Sequence, residues 1–228
     1  MPKRGKKYLE MEKKIEKKEY TPEEAIRLIK QISNSRNFEE TVEVAVALNI
    51  KPKEKGERVR GTVVLPRGLG RKVKVLVFAA GDQAEEAKKA GADFIGGEEL
   101  IEKIEKGWLD FDAVVSTPGL MRSVAKLGKI LGPKGLMPSP KVGTVTDNPG
   151  KVVDELKRGK IEYRNDATGV VHAPIGKVSF EENSLMENFN ALLKALEKDK
   201  PSTVKGRYIK SIYLSSTMGP GIKVKWQS

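Results

Sequence analysis

Between residues 73 and 116 short apolar runs alternate with amphipathic stretches, and this alternation restricts the fold more than any other feature of the chain. Residues 73–80, 92–95 and 113–116 read as strands, and residues 83–90 and 98–106 read as helices. Short buried strands separated by single helices predict a parallel sheet covered by helices on both faces. A helix over residues 150–157 closes this run.

The pattern on either side is different. Residues 41–50 alternate, with Val42, Val44, Val46, Leu48 and Ile50 on one face and Thr41 and Glu43 leading the other, as in a half-buried strand. Thr21-Pro22-Glu23-Glu24 is a helix start with a capping box, followed by the stripe Ala25, Leu28, Ile29 and Ile32. Residues 58–65 form a second strand, ended by Pro66-Arg67-Gly68. After Arg158-Gly159, residues 161–163 and 169–178 read as strands joined by the turn at Asn165-Asp166. A helix over 185–196 buries Leu185, Phe189, Leu192 and Leu196, and strands over 207–216 and 222–226 flank the turn from Thr217 to Gly221.

Each flank alone offers a marginal core. The economical fold is α/β in two domains. Residues 1–67 and 159–228 build a discontinuous α+β split domain, and residues 68–158 form an inserted Rossmann-like three-layer α/β domain. The crossings near residues 66–68 and 158–159 would then act as a hinge.

Charge bears on partners. The formal net charge is +12, from 43 basic and 31 acidic residues. Nucleic acid is the commonest reason for such an excess, with a membrane surface second. No apolar run approaches the ~20 residues of a spanning helix. The chain has no Cys, so disulfides and cysteine zinc sites are excluded, and a cytoplasmic protein is expected. Abundant Lys and Glu hint at a thermophile.

The cations are not evenly spread. Lys3, Arg4, Lys6 and Lys7 open the chain with no acid among the first seven residues, as in an arm that settles on phosphates or a solubilising tail. Residues 113–146 contain no Asp or Glu, whereas residues 71–112 hold ten acidic and seven basic residues. Within this acid-free stretch Val124, Leu127 and Leu131 make an apolar stripe of one helix, and Arg122, Lys126 and Lys129 share another face. Gly132-Pro133-Lys134-Gly135 ends the helix, and a loop stiffened by Pro138 and Pro140 carries Lys134 and Lys141. A solvated basic helix would look the same; a polyanion would also suit it.

An enzyme is not evident. His172 is the only histidine and sits in a predicted strand. Ser215-Ser216-Thr217 has no base nearby in sequence, and Gly68-Leu69-Gly70 precedes a strand, the wrong side for a dinucleotide fingerprint. No carboxylate cluster has metal spacing, so no cofactor or metal is expected. The rival from another class is a nucleotide- or sugar-phosphate-binding α/β enzyme using the middle domain, for which no phosphate loop is found. A basic architectural protein without sequence preference is a third reading.

The run KLGKILGPKGLMPSPKVGTV resembles the signature of the family of the first-numbered protein of the large ribosomal subunit, the stalk protein beside the exit site. RGTVVLPRGLGRKVKVLVFAAG, GADFIGGEELIEKI, RNDATGVVHAPIGKVSF and STMGPGIKV extend the resemblance over most of the chain, with a length that fits bacterial members. The resemblance implies a monomer when free, binding the stalk region of 23S rRNA through the domain built from both ends. It also implies release of exit-site tRNA, with Arg122, Lys126, Lys129, Lys134 and Lys141 facing that tRNA or adjoining rRNA, and repression through the protein's own operon mRNA. As residues alone, Thr217-Met218-Gly219 reads as a mere turn or as a close approach to a ribose edge. The resemblance to the family's RNA-contact segment selects the second reading. It likewise points to Phe38, Thr41 and Glu43, with Arg36, Ser211 and Thr168 contributing.

Overall fold

The computed structural model describes residues 5–33, 38–52 and 58–226. The chain divides into two compact units, Met1–Gly70 with Ile161–Ser228, and Arg71–Lys160. The N-terminal segment begins with α1 (Lys6–Lys13), so the stretch expected as an arm is helical from Lys6, with Met11 buried. Its Lys, Glu, Leu and Met residues are good helix formers, and propensity decides the local structure. Next comes α2 (Pro22–Ser33), whose capping box is formed in both directions. The Thr21 amide donates to Glu24 Oε2 at 2.9 Å, and the Glu24 amide donates to Thr21 Oγ1 at 3.3 Å. Ile26 is buried and Leu28 only partly so, a shift from the expected stripe. The strands β1 (Thr41–Leu48) and β2 (Arg60–Val64) follow.

The second unit contains β3 (Val75–Phe78), α3 (Asp82–Lys89), β4 (Phe94–Gly96), α4 (Glu98–Glu105) and β5 (Ala113–Ser116), then α5 (Met121–Ala125), α6 (Gly128–Leu131) and α7 (Pro149–Lys157). Its strands form a parallel sheet in the order β4-β3-β5. Leu76 and Phe78 of β3 face Leu100, Ile104, Val124, Leu127 and Leu131. Val75 and Val77 face Ala87, Val153 and Leu156. Successive strand residues point to opposite faces, so the sheet is sandwiched between α4–α6 and α3 with α7, in three layers.

The helix expected across residues 122–131 is two short helices. The Leu127 amide bonds Val124 O at 3.0 Å, a tight three-residue closure that interrupts the α-helical ladder just before Gly128. Glycine inside a helix costs about 1 kcal/mol relative to Ala. Val124, Leu127 and Leu131 are nevertheless fully buried. The apolar stripe is kept and the continuous helix is not.

The chain returns to the first unit with β6 (Lys160–Arg164), β7 (Val170–Lys177), α8 (Glu182–Lys198), β8 (Ile209–Ser216) and β9 (Ile222–Val224). β6 and β7 meet at the turn, through an antiparallel bridge between Asn165 and Val171, but along their length β6 pairs with β2 and β7 with β1. The main sheet is antiparallel with order β7-β1-β8-β9. Helices α2 and α8 pack on one of its faces and on each other. That double contact widens the buried arc of α2 towards Ile26. Val42, Val44, Val46 and Leu48 are buried beneath them, each contributing about 1.5–3 kcal/mol relative to exposure. A one-residue slip would expose all four, so the register is fixed.

Two polar anchors hold this unit together. Asn188 of α8 is fully buried. It accepts from the Arg67 amide at 3.0 Å and donates to Gly68 O at 2.9 Å and Ile175 O at 2.7 Å. Tyr163 donates to Asp199 Oδ2 at 2.6 Å. Burial first, then this bond, raises the Tyr163 pKa, and burial followed by the Asp199 charge pushes Tyr208 up to about 12. Gly61 lies against this pair so closely that a Cβ would overlap the Tyr163 hydroxyl and the Asp199 carboxylate.

Candidate nucleic-acid interface

The expected site residues of the first unit gather at the start of β1. The Thr41 amide donates to Thr217 Oγ1 at 2.9 Å, and that hydroxyl donates to Thr41 O at 3.3 Å. Thr217 thus stitches the β8–β9 turn to β1 in place of a ladder bond. Lys177 Nζ reaches Thr41 Oγ1 at 3.0 Å. The Met218 amide donates to Glu40 Oε2 at 3.3 Å, and Glu40 is only 2% exposed. The Gly219 amide closes the turn on Ser216 O at 3.0 Å. A Cβ at Gly219 would meet Ser216 Oγ, which would have to turn away.

Phe38 and Met218 flank this corner, each 52% exposed. Scattered exposed apolar residues are ordinary; these two lie close in sequence to the hydrogen-bonded Thr41 and Thr217. Glu43 is exposed two residues further along the open face of β1. Of the other expected residues, Lys3, Arg4 and Arg36 lie outside the described residues. Lys6 and Lys7 are exposed on α1.

Ser211 and Thr168 are not at this corner. Ser211 pairs with Ala47, towards the far end of β1, and the Gly169 carbonyl next to Thr168 accepts from the Leu48 amide at 2.9 Å. The seven steps from Thr41 to Leu48 span about 23 Å in an extended strand. The Thr168 hydroxyl is engaged by Asp166 Oδ1 at 2.7 Å, within a tight loop. Two participants at the corner were not anticipated. Glu40 carries no periodic signal beside Glu39, and Lys177 closes the β7 alternation without standing out.

In the second unit Arg122, Lys126, Lys129, Lys134 and Lys141 are all exposed. The first three stand on two short helices and the turn between them, not on one helical face. Lys134 lies in the turn after α6, and Lys141 in a single 3-10 turn, Pro140–Val142. None of the five forms an ion pair among the described residues. Two helix starts of this unit are acidic, with Asp82 and Glu85 on α3 and Glu98 and Glu99 on α4, whereas α7 has no acid in its first turn. Acid at a helix N-terminus repels a phosphate, which weighs against a nucleotide cradle there. No group of three His, Asp or Glu able to hold a metal occurs among the described residues.

A formal charge of +12 on a mixed α/β fold is the balance expected of a nucleic-acid-binding protein. The model of the Ribosomal protein L1p/L10e family matches residues 28–220, and the chain belongs to that family. It is a structural component of the large ribosomal subunit that binds rRNA, and not an enzyme.

Proposed function

We propose that the first unit binds the stalk region of 23S rRNA through the corner of Phe38, Thr41, Glu43, Thr217, Met218 and Gly219. Arg36 and the N-terminal Lys3, Arg4, Lys6 and Lys7 add phosphate contacts, and Ser211 and Thr168 contact the RNA further along. The observation that carries this reading is the Thr41–Thr217 stitch, which holds hydroxyl, backbone and apolar groups in one fixed array. Preorganised donors and acceptors suit recognition by shape and by the ribose 2′-OH.

The second unit, through Arg122, Lys126, Lys129, Lys134 and Lys141, faces exit-site tRNA or adjoining rRNA and assists tRNA release. Its link to the first unit, near residues 66–68 and 158–159, is the hinge of that motion. The free protein is a monomer that represses its own operon by binding an mRNA that mimics the rRNA site. The test is binding to a stalk rRNA fragment and to a scrambled RNA of equal length, at several salt concentrations. A preference of about a thousandfold for the stalk fragment is expected. Equal affinity with a steep salt slope would leave only non-specific electrostatic binding.

A further inference from the structure

The two groups of candidate contacts stand at opposite ends of β1, and the surface between them is the open face of the four-stranded sheet. Register fixes its central row. Ala45 pairs with His172 on one side and with Tyr213 on the other, and Tyr213 pairs with Lys223. The neighbouring rows are Pro174–Glu43–Ser215 and Val170–Ala47–Ser211. Val44, Val46, Ile212 and Leu214, one position away, are buried on the opposite face. The row of Tyr213 therefore looks outwards, away from α2 and α8.

This face has the chemistry of a nucleic-acid platform. Its floor is made of the short side chains Ala45 and Ala47, and Tyr213 is 40% exposed. Gly221, beside the ring, puts no side chain over it: even a Cβ there would lie 3.8 Å from Tyr213 Cδ1. Glu43 is the only acid in the four strands, which also carry Lys177, Lys210 and Lys223. Beyond the β9 edge Glu19 holds Lys223 at 2.7 Å, and the Lys225 and Arg207 charges also act on its carboxylate. The surface is cationic at its rim, nearly free of acid, and aromatic at its centre.

We propose that this open sheet face binds an unpaired stretch of the same RNA, with Tyr213 stacking on a splayed base, and so joins the Thr41–Thr217 corner to the Ser211–Thr168 end. The inference rests on the first unit being the RNA-binding unit. A duplex keeps its base faces stacked inside, whereas an unpaired strand offers them to an aromatic ring. The rim cations follow its phosphates.

The experiment uses the full chain and the stalk rRNA fragment at one fixed salt concentration, comparing wild type, Tyr213→Ala, Tyr213→Phe and Met218→Asp. Tyr213→Ala is expected to weaken binding by about 10- to 100-fold, and Tyr213→Phe by less than about threefold, because stacking needs the ring and not the hydroxyl. Ultraviolet cross-linking of the wild-type complex, read by mass spectrometry, should place a nucleotide on the peptide containing Tyr213. That readout also decides the matter if Tyr213→Ala fails to fold. Binding of a folded Tyr213→Ala within twofold of wild type, or cross-links confined to other peptides, overturns the proposal. Loss in Met218→Asp alone would mean that the interface stops at the corner. Loss in Tyr213→Ala alone would sink the corner reading and keep the sheet face.

Discussion

The two units present polar groups to a ligand in opposite ways. At the corner of the first unit nearly every candidate group is already held: Thr217 by Thr41, Met218 by Glu40, and Thr41 by Lys177. In the second unit the five cations stand exposed on short helices and turns, with no ion pair among the described residues. The first arrangement fixes geometry before the ligand arrives, so little ordering entropy is lost on binding. The second offers charge without a fixed array, which attracts any polyanion and weakens with salt. On the proposed reading, specificity and bulk electrostatics belong to different parts of the chain.

The strongest break in that comparison is Met218→Asp. It puts a carboxylate into the proposed RNA-binding corner, without touching a core residue, since Met218 is half-exposed. Specific affinity for the stalk fragment should fall about 100-fold or more, measured by filter binding at fixed salt. Unchanged affinity would remove the corner from the interface. Thr217→Ala comes next, with two expected effects. It deletes the stitch to Thr41, at a cost of about 1 kcal/mol of stability for the net loss of hydrogen bonding. It should also weaken RNA binding about tenfold, by loosening the array. Denaturant unfolding and binding on the same samples separate the two, and a binding loss with no change in midpoint would show that the hydroxyl acts on RNA alone. Lys126→Ala belongs to the other unit. Affinity for the stalk fragment should stay within twofold of wild type, whereas the salt slope for tRNA binding should fall by about one. A large loss on the stalk fragment would erase the distinction between the units.

Local chemistry was readable from the sequence, and pairing over distance was not. The capping box of Thr21 and Glu24, the alternation from Val42 to Leu48 and the stripe of Leu185, Phe189, Leu192 and Leu196 depend on neighbours within a few residues. The strands joined through Asn165-Asp166 touch each other only at that turn, and along their length they join partners about a hundred residues or more away in the chain, Arg60–Val64 for one and Thr41–Leu48 for the other. The break before Gly128 needed the weighing of a glycine cost against the burial of Val124, Leu127 and Leu131, which two short helices satisfy as well as one long one. At the candidate site, residue types pointed to Thr41 and Thr217, but nothing in the sequence showed that each would be the other's partner. Tyr213 was invisible for the same reason, because only register places it between His172 and Lys223.

The smallest effect tests whether the far end of β1 is also preorganised. Asp166 Oδ1 accepts from the Thr168 amide at 2.8 Å, the Thr168 hydroxyl at 2.7 Å and the Val170 amide at 2.9 Å. The Val170 amide first, then the Thr168 hydroxyl, hold this carboxyl below the ordinary Asp range. A folded pKa below the unfolded one contributes stability that is present above the unfolded value, about pH 4. That contribution is lost as pH falls through the folded value. Asp166→Asn keeps an acceptor oxygen and loses the charge. Wild type should therefore be slightly more stable than the variant at pH 7, and the difference should shrink below about pH 4, by thermal unfolding across pH. A difference constant with pH would mean that the loop is held by shape and not by the carboxylate. At pH 7 the same variant should weaken stalk-RNA binding by no more than about threefold, because it loosens Thr168 without moving the Thr41–Thr217 corner, some 23 Å of strand away.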